Sequence, residues 1–119
     1  MSYNWNTRTE LLLGADRMEQ LAHSHVLVVG LGGVGAYAAE QICRAGIGHM
    51  TIVDADTVNE SNINRQLPAL HSTLGMPKAE VMARRLLDIN PRLKLTVINE
   101  FLRDERTEEV LSATRYDFI

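Results

Sequence analysis

The sequence lacks the features that mark several other classes of protein. Its 119 residues include one cysteine, three prolines and 5% aromatic residues. The single cysteine excludes a disulfide scaffold, and no apolar run approaches the roughly 18 residues of a transmembrane helix. Acidic residues (15) slightly outnumber basic ones (12), which argues against a dedicated nucleic-acid-binding domain. The first ten residues are polar and show no secretory signal. We therefore expect one domain in the cytoplasm, with no membrane partner.

Short apolar runs alternate with helical patterns along the chain. Buried strands are predicted at residues 26–29, 50–53, 93–98 and 116–119, and helices at 33–45, from Pro77 to about residue 90, and at 104–111. Strands that are apolar throughout, joined by helices, are typical of a parallel sheet covered on both faces. Right-handed crossovers then give an α/β fold with a doubly wound parallel sheet.

The helical patterns also predict which side chains face inward. In the first of these helices Val34, Ala38 and Ile42 recur at every fourth residue and are expected to form its inner face, while Cys43 is expected to be a core thiol. The helix after Pro77 should bury Ala79, Met82, Ala83, Leu86 and Ile89.

Ahead of the first strand, residues 7–22 form a helical segment interrupted at Gly14. Two interpretations stay open: a helix that covers the edge of the sheet, or an arm that makes a dimer. At the other end, the chain stops at Ile119, inside a predicted strand. We therefore expect residues 1–119 to be an N-terminal fragment of a longer protein, with the sheet truncated after about four strands.

A glycine-rich turn lies between the first predicted strand and the first helix after it. Gly30, Gly32, Gly33 and Gly35 form a G-x-G-x-x-G pattern with an additional glycine. In this context, glycines permit a tight turn and a close approach of the backbone to a phosphate, which the helix N-terminus attracts. The pattern favours nucleotide binding over a turn without a ligand.

Asp54 ends the second predicted strand, 19 residues after Gly35, and Asp56 follows it. A carboxylate in this place reaches the ribose hydroxyls of a nucleotide. The alternative is an aspartate that caps the loop. Up to this point the residues fit NAD and ATP equally well.

Residues in the long connection 55–76 and in the helix after it favour ATP over NAD. The connection contains Ser61, Asn62, Arg65 and Gln66, and Lys78 follows at the start of the helix. A triphosphate carries more charge than a dinucleotide, and departing pyrophosphate needs compensation that an arginine and a lysine supply. The alternative is that both cations are solvated surface residues.

The four histidines show no metal-ligand spacing, and no metal site is predicted from the protein's own side chains. His23 and His25 flank the start of a strand, where solvated or capping roles are favoured.

The run VLVVGLGGVGAYAAEQICRAGIGHMTIVDADTV, followed by SNINRQ, GMPKAE and INP, resembles the ThiF-type adenylating enzymes. These are similar to ubiquitin-activating enzymes and to sulfur-carrier-protein adenylyltransferases. The resemblance implies a Rossmann-like ATP-binding domain that uses Mg-ATP to convert a carboxylate to an acyl adenylate. Within the family, the motifs around Asn64–Leu70 and Gly75–Arg85 are similar to those of bacterial tRNA threonylcarbamoyladenosine dehydratases.

The resemblance also assigns roles to residues. It places Gly33 against the nucleotide, Asp54 on the ribose, and Asn62, Arg65 and Lys78 on the phosphates. Arg8 matches an N-terminal arginine that these enzymes supply across a homodimer. The implied substrate is the modified adenosine of a tRNA, or the C-terminus of a ubiquitin-like sulfur-carrier protein.

One family feature falls outside the sequence, because the second acidic residue linked to magnesium follows the fourth strand. Two further hypotheses compete with the adenylating enzyme. An NAD-binding oxidoreductase domain shares the glycine turn and Asp54 but does not explain Arg65 and Lys78. A nucleotide-binding scaffold that dimerises through its first helix would show no turnover.

Overall fold

The computed structural model describes residues 4–119. The helices in this part of the chain are α1 (Thr7–Leu13), α2 (Ala15–Ala22), α3 (Gly35–Ala45), α4 (Lys78–Ile89) and α5 (Asp104–Ser112). The strands are β1 (His25–Val29), β2 (His49–Val53) and β3 (Lys94–Ile98). No helix in the described range has both the length and the hydropathy needed to cross a lipid bilayer.

The three strands form a parallel sheet in the order β1-β2-β3. Phe118 forms a parallel bridge with Val26, and Leu27 N–H donates to Phe118 O at 3.0 Å, on the edge of β1 that β2 does not occupy. The predicted fourth strand is therefore present as one bridge. The strands follow one another outward from β1 to β3, and the chain then returns to the free side of β1. The strand order therefore reverses beside β1, and sheets of this kind bind ligands at such a reversal.

Helices α3 and α4 cover one face of the sheet and α5 packs on the other. On the first face Met50, Ile52, Met82 and Leu86 are fully buried with Cys43, whose thiol lies 3.5 Å from Leu86 O. Burial raises the pKa of that thiol, as expected for a core cysteine. On the second face, Val110 of α5 joins Leu27 and Val53 in a smaller cluster. The predicted α/β architecture is confirmed.

The prediction for the inner face of α3 was correct for Ile42, which packs against the core, and wrong for Val34 and Ala38. The buried residues of this helix are Ala36, Ala39, Glu40 and Cys43. Val34 is 82% exposed, because it lies in the turn before the helix begins at Gly35, and Ala38 and Ile42 are only half-buried. The prediction for α4 was correct: Ala79, Met82 and Leu86 are buried, and Ala83 and Ile89 pack against the same core.

The expectation that all strands are buried on both faces fails for β3. None of its residues is fully buried, and Val97 is 42% exposed. β3 is the last strand on its side of the sheet, so it has one neighbour, and α5 packs nearer to β1 and β2.

The N-terminal segment consists of two helices with a break at Gly14, where φ is +87°, as the sequence predicts. It packs at the amino-terminal edge of the sheet, where Gly48 N–H donates to Leu21 O at 3.0 Å. Leu11 and Leu12 are 66% and 83% exposed. The segment thus covers the sheet edge and also presents apolar side chains outward, so the dimer arm stays a prediction.

The connection between β2 and α4 is folded onto the core. Val58, Pro68 and Ala69 are buried within it, and an antiparallel bridge joins Thr57 to Pro77. Short 3-10 turns at Glu60–Asn62 and His71–Thr73 supply its local structure. A long connection that is ordered in this way holds its side chains in fixed positions, as binding loops do.

His25 is buried, so the prediction of a solvated role was wrong for this residue. Its ring stacks on that of His49, with centroids 3.5 Å apart and planes within 6°, and its Nε2 lies 2.7 Å from Thr51 Oγ1. Burial lowers the pKa of both histidines, and the charge of Lys94 lowers the pKa of His49 further. The parallel register that sets His25 opposite His49 creates this pair, and neither residue's local sequence shows it.

The histidine pair makes stability depend on pH. Both pKa values are lowered from 6.5 in the folded state, so the unfolded chain binds more protons as the pH falls. We therefore expect the free energy of unfolding to be highest above pH 6.5 and to fall as the pH drops below 6.5, because protonation of the two histidines then favours the unfolded chain. Urea denaturation between about pH 5 and pH 8 measures the effect. His49→Gln should flatten the profile, whereas His23→Gln, a change at an exposed histidine, should not; identical profiles for both variants would contradict this prediction.

Candidate functional site

The glycine turn brings the end of β1 against the start of α3. Gly30 has φ of +89° and donates its N–H to Val53 O at 2.7 Å. A Cβ on Gly35 would lie 1.7 Å from Gly30 O, a distance that no side chain can occupy. The close contact between turn and helix therefore requires glycine at position 35.

The outer side of the same turn is open. A Cβ on Gly33 would meet nothing within 4 Å, and one on Gly32 would meet only the Gln66 side chain, at 3.5 Å. No side chain caps the first turn of α3, so its leading N–H groups have no side-chain partner. Free N–H groups and the positive end of the helix dipole form a cradle for an anion such as a phosphate.

Asp54 holds this turn in place. Its Oδ2 accepts from Leu31 N–H and its Oδ1 from Asp56 N–H, both at 2.7 Å. The loop-capping interpretation is thus realised in the geometry. It does not exclude the ribose interpretation, because each carboxylate oxygen has a second lone pair free to accept from a hydroxyl.

A shallow cleft of about 290 Å³ lies beside Asp54 at the carboxyl ends of the strands. Gly30 and Asp56 line it on one side, and Glu100, Phe101 and Leu102 on the other. The last three residues were not predicted from the sequence. Their position directly after the third strand could have identified them, since the carboxyl ends of parallel strands share one edge of the sheet.

Arg65 is exposed and held by its own loop. Its Nη1 donates to Ser61 O at 2.9 Å and to Asn64 Oδ1 at 2.8 Å. Within residues 4–119 no carboxylate lies within 4 Å of its guanidinium. Its remaining donors are free to bind an anion.

Lys78 is buried, with 6% of its surface exposed, and so differs from the solvated helix-surface lysine that was the alternative. The bridge between Thr57 and Pro77 and the bond from Lys78 N–H to Asp56 O, at 2.9 Å, fold the connection over it. No carboxylate in the described range neutralises it within 4 Å. Its stem is buried while no carboxylate in the described range pairs with its ammonium, so this charge is available to a bound anion.

The other polar residues of the connection have mixed roles. Asn62 Oδ1 accepts from Asn59 N–H at 3.1 Å, so this side chain caps its own 3-10 turn. Ser61 is exposed. Gln66 lies against Gly32, and its Oε1 is the one buried side-chain polar atom in the described range without a hydrogen-bond partner. An unpaired buried carbonyl next to an open phosphate cradle indicates a site that a ligand or water completes.

A family model described as the ThiF family matches residues 3–119. The chain belongs to the ThiF family. The tRNA threonylcarbamoyladenosine dehydratases of Bacillus subtilis and Escherichia coli are 44% and 41% identical to it, over 87% and 91% of this chain. The chain spans 41% of the length of each of these relatives.

Solved structures of ThiF-family relatives have the same fold. Crystal structures of the E. coli dehydratase in complex with ATP and with AMP match with TM-scores of 0.88 and 0.87, at 40% and 41% identity. They cover 95% and 94% of this chain, and 48% and 47% of those chains. The Rossmann-like expectation is confirmed.

Arg8 of this ThiF-family chain does not join the other site residues within one copy. It lies near the start of α1, and the adjacent Asn4, Trp5 and Asn6 line a cleft at the amino-terminal edge with Gly48. The glycine turn lies at the carboxyl edge. Arg8 would reach a nucleotide only from a second copy, and its role stays a prediction.

The described residues do not form a magnesium site by themselves. No group of three or more histidine, cysteine, aspartate or glutamate side chains in the range 4–119 could hold a metal ion. Asp54 already accepts two backbone N–H bonds, and Asp56 stands alone as an exposed carboxylate. The donors therefore fit a nucleotide and do not form a cage for a cation.

Proposed function

We propose that this chain is the ATP-binding part of an enzyme that activates a carboxylate as an acyl adenylate. Lys78 carries the proposal, because it is a lysine without a carboxylate partner that Asp56 and Asp54 link to the glycine turn through hydrogen bonds, and such a cation suits a polyphosphate. The structures of a relative with ATP and with AMP support the choice of ligand. The proposed substrate is the threonylcarbamoyladenosine of a tRNA, as the names of the relatives suggest, which would place the reaction in the cytoplasm.

The chemistry needs positioning and charge neutralisation more than covalent catalysis. An oxygen of the substrate carboxylate attacks the α-phosphorus of ATP, and the bond to the bridging oxygen breaks to release pyrophosphate. The acyl adenylate then closes to a cyclic product, and AMP leaves. Arg65 offers a planar fork, and Lys78 a point charge, for the negative charge that builds up on pyrophosphate.

The remaining residues have binding roles in this proposal. The N–H groups around Gly32 and Gly33 bind phosphate oxygens, Asp54 accepts from the ribose hydroxyls, and the Gln66 amide nitrogen, the atom of that side chain nearest Gly32, donates to a phosphate oxygen. Arg8 comes from the second copy of a homodimer. Mg²⁺ enters as the ATP complex.

A thermal-shift titration with Mg-ATP and, separately, with NAD tests the proposal. A ligand at 100 times its Kd stabilises the folded state by about 2.7 kcal/mol, which raises the Tm by several degrees. A shift with ATP alone supports an adenylating enzyme. A shift with NAD alone would replace it with an oxidoreductase domain.

A second candidate function is adenylation of a ubiquitin-like sulfur-carrier protein. The E. coli molybdopterin-synthase adenylyltransferase is 43% identical over 75% of this chain, a similarity close to that of the dehydratases, which supports this second substrate. Pyrophosphate release measured with modified tRNA, and separately with a sulfur-carrier protein, distinguishes the two. Release with the protein alone would favour the second function.

Gly32→Val tests the phosphate cradle. Its Cβ has room beside Gln66, so we expect the secondary structure to form, while the branched side chain blocks the approach of a phosphate. Circular dichroism measures the folding, and calorimetric titration measures the ATP affinity. Wild-type affinity in this variant would exclude the glycine turn as the phosphate site.

A further inference from the structure

An exposed tryptophan joins two clefts at the amino-terminal edge of the sheet. Trp5 lines a cleft of about 600 Å³ with Arg92 and Lys94, and another of about 480 Å³ with Arg44 and Arg85. Half of its surface is exposed (50%). The two clefts form one groove with an aromatic face at its centre, and we call these five residues the Trp5 groove.

The inner part of the Trp5 groove is lined by two arginines and by Asp88. Arg85 and Arg44 share one carboxylate, that of the buried Glu40: Arg85 hydrogen-bonds to it, and Arg44 lies 3.8 Å away. The side chains of Arg85 and Arg44 are still 42% and 52% exposed. Glu40 therefore fixes two arginines that stay exposed at the groove, and with Asp88 the inner part has no net charge, so the positive excess lies in the outer part.

The outer part carries two cations with no such partner. Within residues 4–119, no carboxylate lies within 4 Å of Arg92 or Lys94. Arg92 is held by its backbone N–H, which donates to the Oδ1 of the buried Asn90 at 3.1 Å. Asp88 is the only further acidic residue lining the described groove. This excess is local, because the whole chain has a net charge of −3.

An aromatic face between cations is the arrangement with which proteins bind single-stranded nucleic acids. Bases stack on the ring, and phosphates pair with the arginines and lysines. An acidic protein segment would use the cations but leave the ring without a partner. We propose that the Trp5 groove binds a single-stranded segment of RNA, with one base on Trp5 and its neighbouring phosphates on Arg92 and Lys94.

The choice of RNA rests on the proposed function, while the groove itself does not. Within one copy, the groove lies at the amino-terminal edge and the glycine turn at the carboxyl edge, so RNA and nucleotide would occupy different sites.

Trp5 is the only tryptophan in the sequence, so its fluorescence reports on the groove directly. Titration of the 119-residue chain with a single-stranded RNA oligonucleotide should quench this fluorescence in a saturable way. Two phosphate contacts should make the logarithm of the binding constant fall with that of salt concentration, with a slope of about −1.4. Polyglutamate serves as the acidic protein probe.

Charge-reversed variants test the cations, with the anisotropy of labelled RNA as the readout. Arg92→Glu with Lys94→Glu should weaken binding at least about tenfold. The matched control, Arg103→Glu with Arg115→Glu, changes the net charge equally at exposed positions outside the groove and should have a smaller effect. Trp5→Leu should weaken binding about 5- to 100-fold, and Trp5→Tyr less.

Each outcome decides a separate question. RNA binding that is unchanged by the groove variants, or polyglutamate binding as tight as RNA binding, would overturn the inference. A blue shift of Trp5 fluorescence that depends on protein concentration alone would assign the groove to a second copy. A thermal shift with ATP but no RNA binding would support the proposed function and overturn the RNA site. RNA binding without a thermal shift with ATP would support the RNA site and contradict the proposed function.

Discussion

Replacing Lys78 with methionine is expected to weaken ATP binding by about 1–3 kcal/mol, or about 5- to 150-fold in Kd. Methionine keeps the apolar stem that packs in the buried site and removes only the charge. Because this charge has no carboxylate partner within 4 Å in the described range, the free energy of unfolding should stay the same or rise. Calorimetric titration and urea denaturation measure the two quantities.

Lys94→Met is the matched control, since it removes a lysine charge at the opposite edge of the sheet and should leave the Kd for ATP unchanged. Arg65→Ala should weaken ATP binding within the same range, with little change in stability, because this side chain is exposed. An unchanged Kd for ATP in Lys78→Met would remove Lys78 from the site. So would a loss of stability without a loss of affinity.

The largest effect on stability is expected for Gly35→Ala. The added Cβ would lie 1.7 Å from Gly30 O, which is backbone and can move only with the glycine turn. Overpacking against backbone in this half-buried turn should cost more than about 3 kcal/mol, a large part of the stability of a domain of this size. Urea denaturation measures it, together with ATP binding where the variant folds.

Gly33→Ala provides the control, because both substitutions restrict the unfolded chain equally and neither glycine has a positive φ. A Cβ at position 33 meets nothing within 4 Å, so this variant should be as stable as the original chain or slightly more stable. Equal stability of the two variants would show that the contact between turn and helix is not needed.

The order of the elements and the position of the glycine turn were predictable from the sequence. Apolar β-branched runs identify β1 and β2, and the glycine pattern between a strand and a helix locates the turn. Pro77 marks the start of α4 correctly, because proline fits the first turn of a helix. These features are local, and nearest neighbours along the chain determine them.

Features that depend on contacts between distant segments could not be predicted in the same way. The sequence around Lys78 is that of a lysine on a helix surface. The residue is buried because the connection before it folds over the start of α4. His25 becomes buried only when the parallel register sets it opposite His49. The exposure of β3 follows from its place at the end of the sheet, which its apolar sequence does not reveal.

The carboxylate of Asp54 has a consequence for how the site opens. Leu31 N–H and Asp56 N–H share this carboxylate, and Asp56 O in turn accepts from Lys78 N–H. Opening either bond to Asp54 would take a donor from a half-buried anion, and opening the bond from Lys78 would take the donor from Asp56 O, so we expect the glycine turn and the start of α4 to unfold locally as one cooperative unit. The amide protons of Leu31, Asp56 and Lys78 would then exchange with solvent at a common opening free energy, and a bound nucleotide would slow all three together.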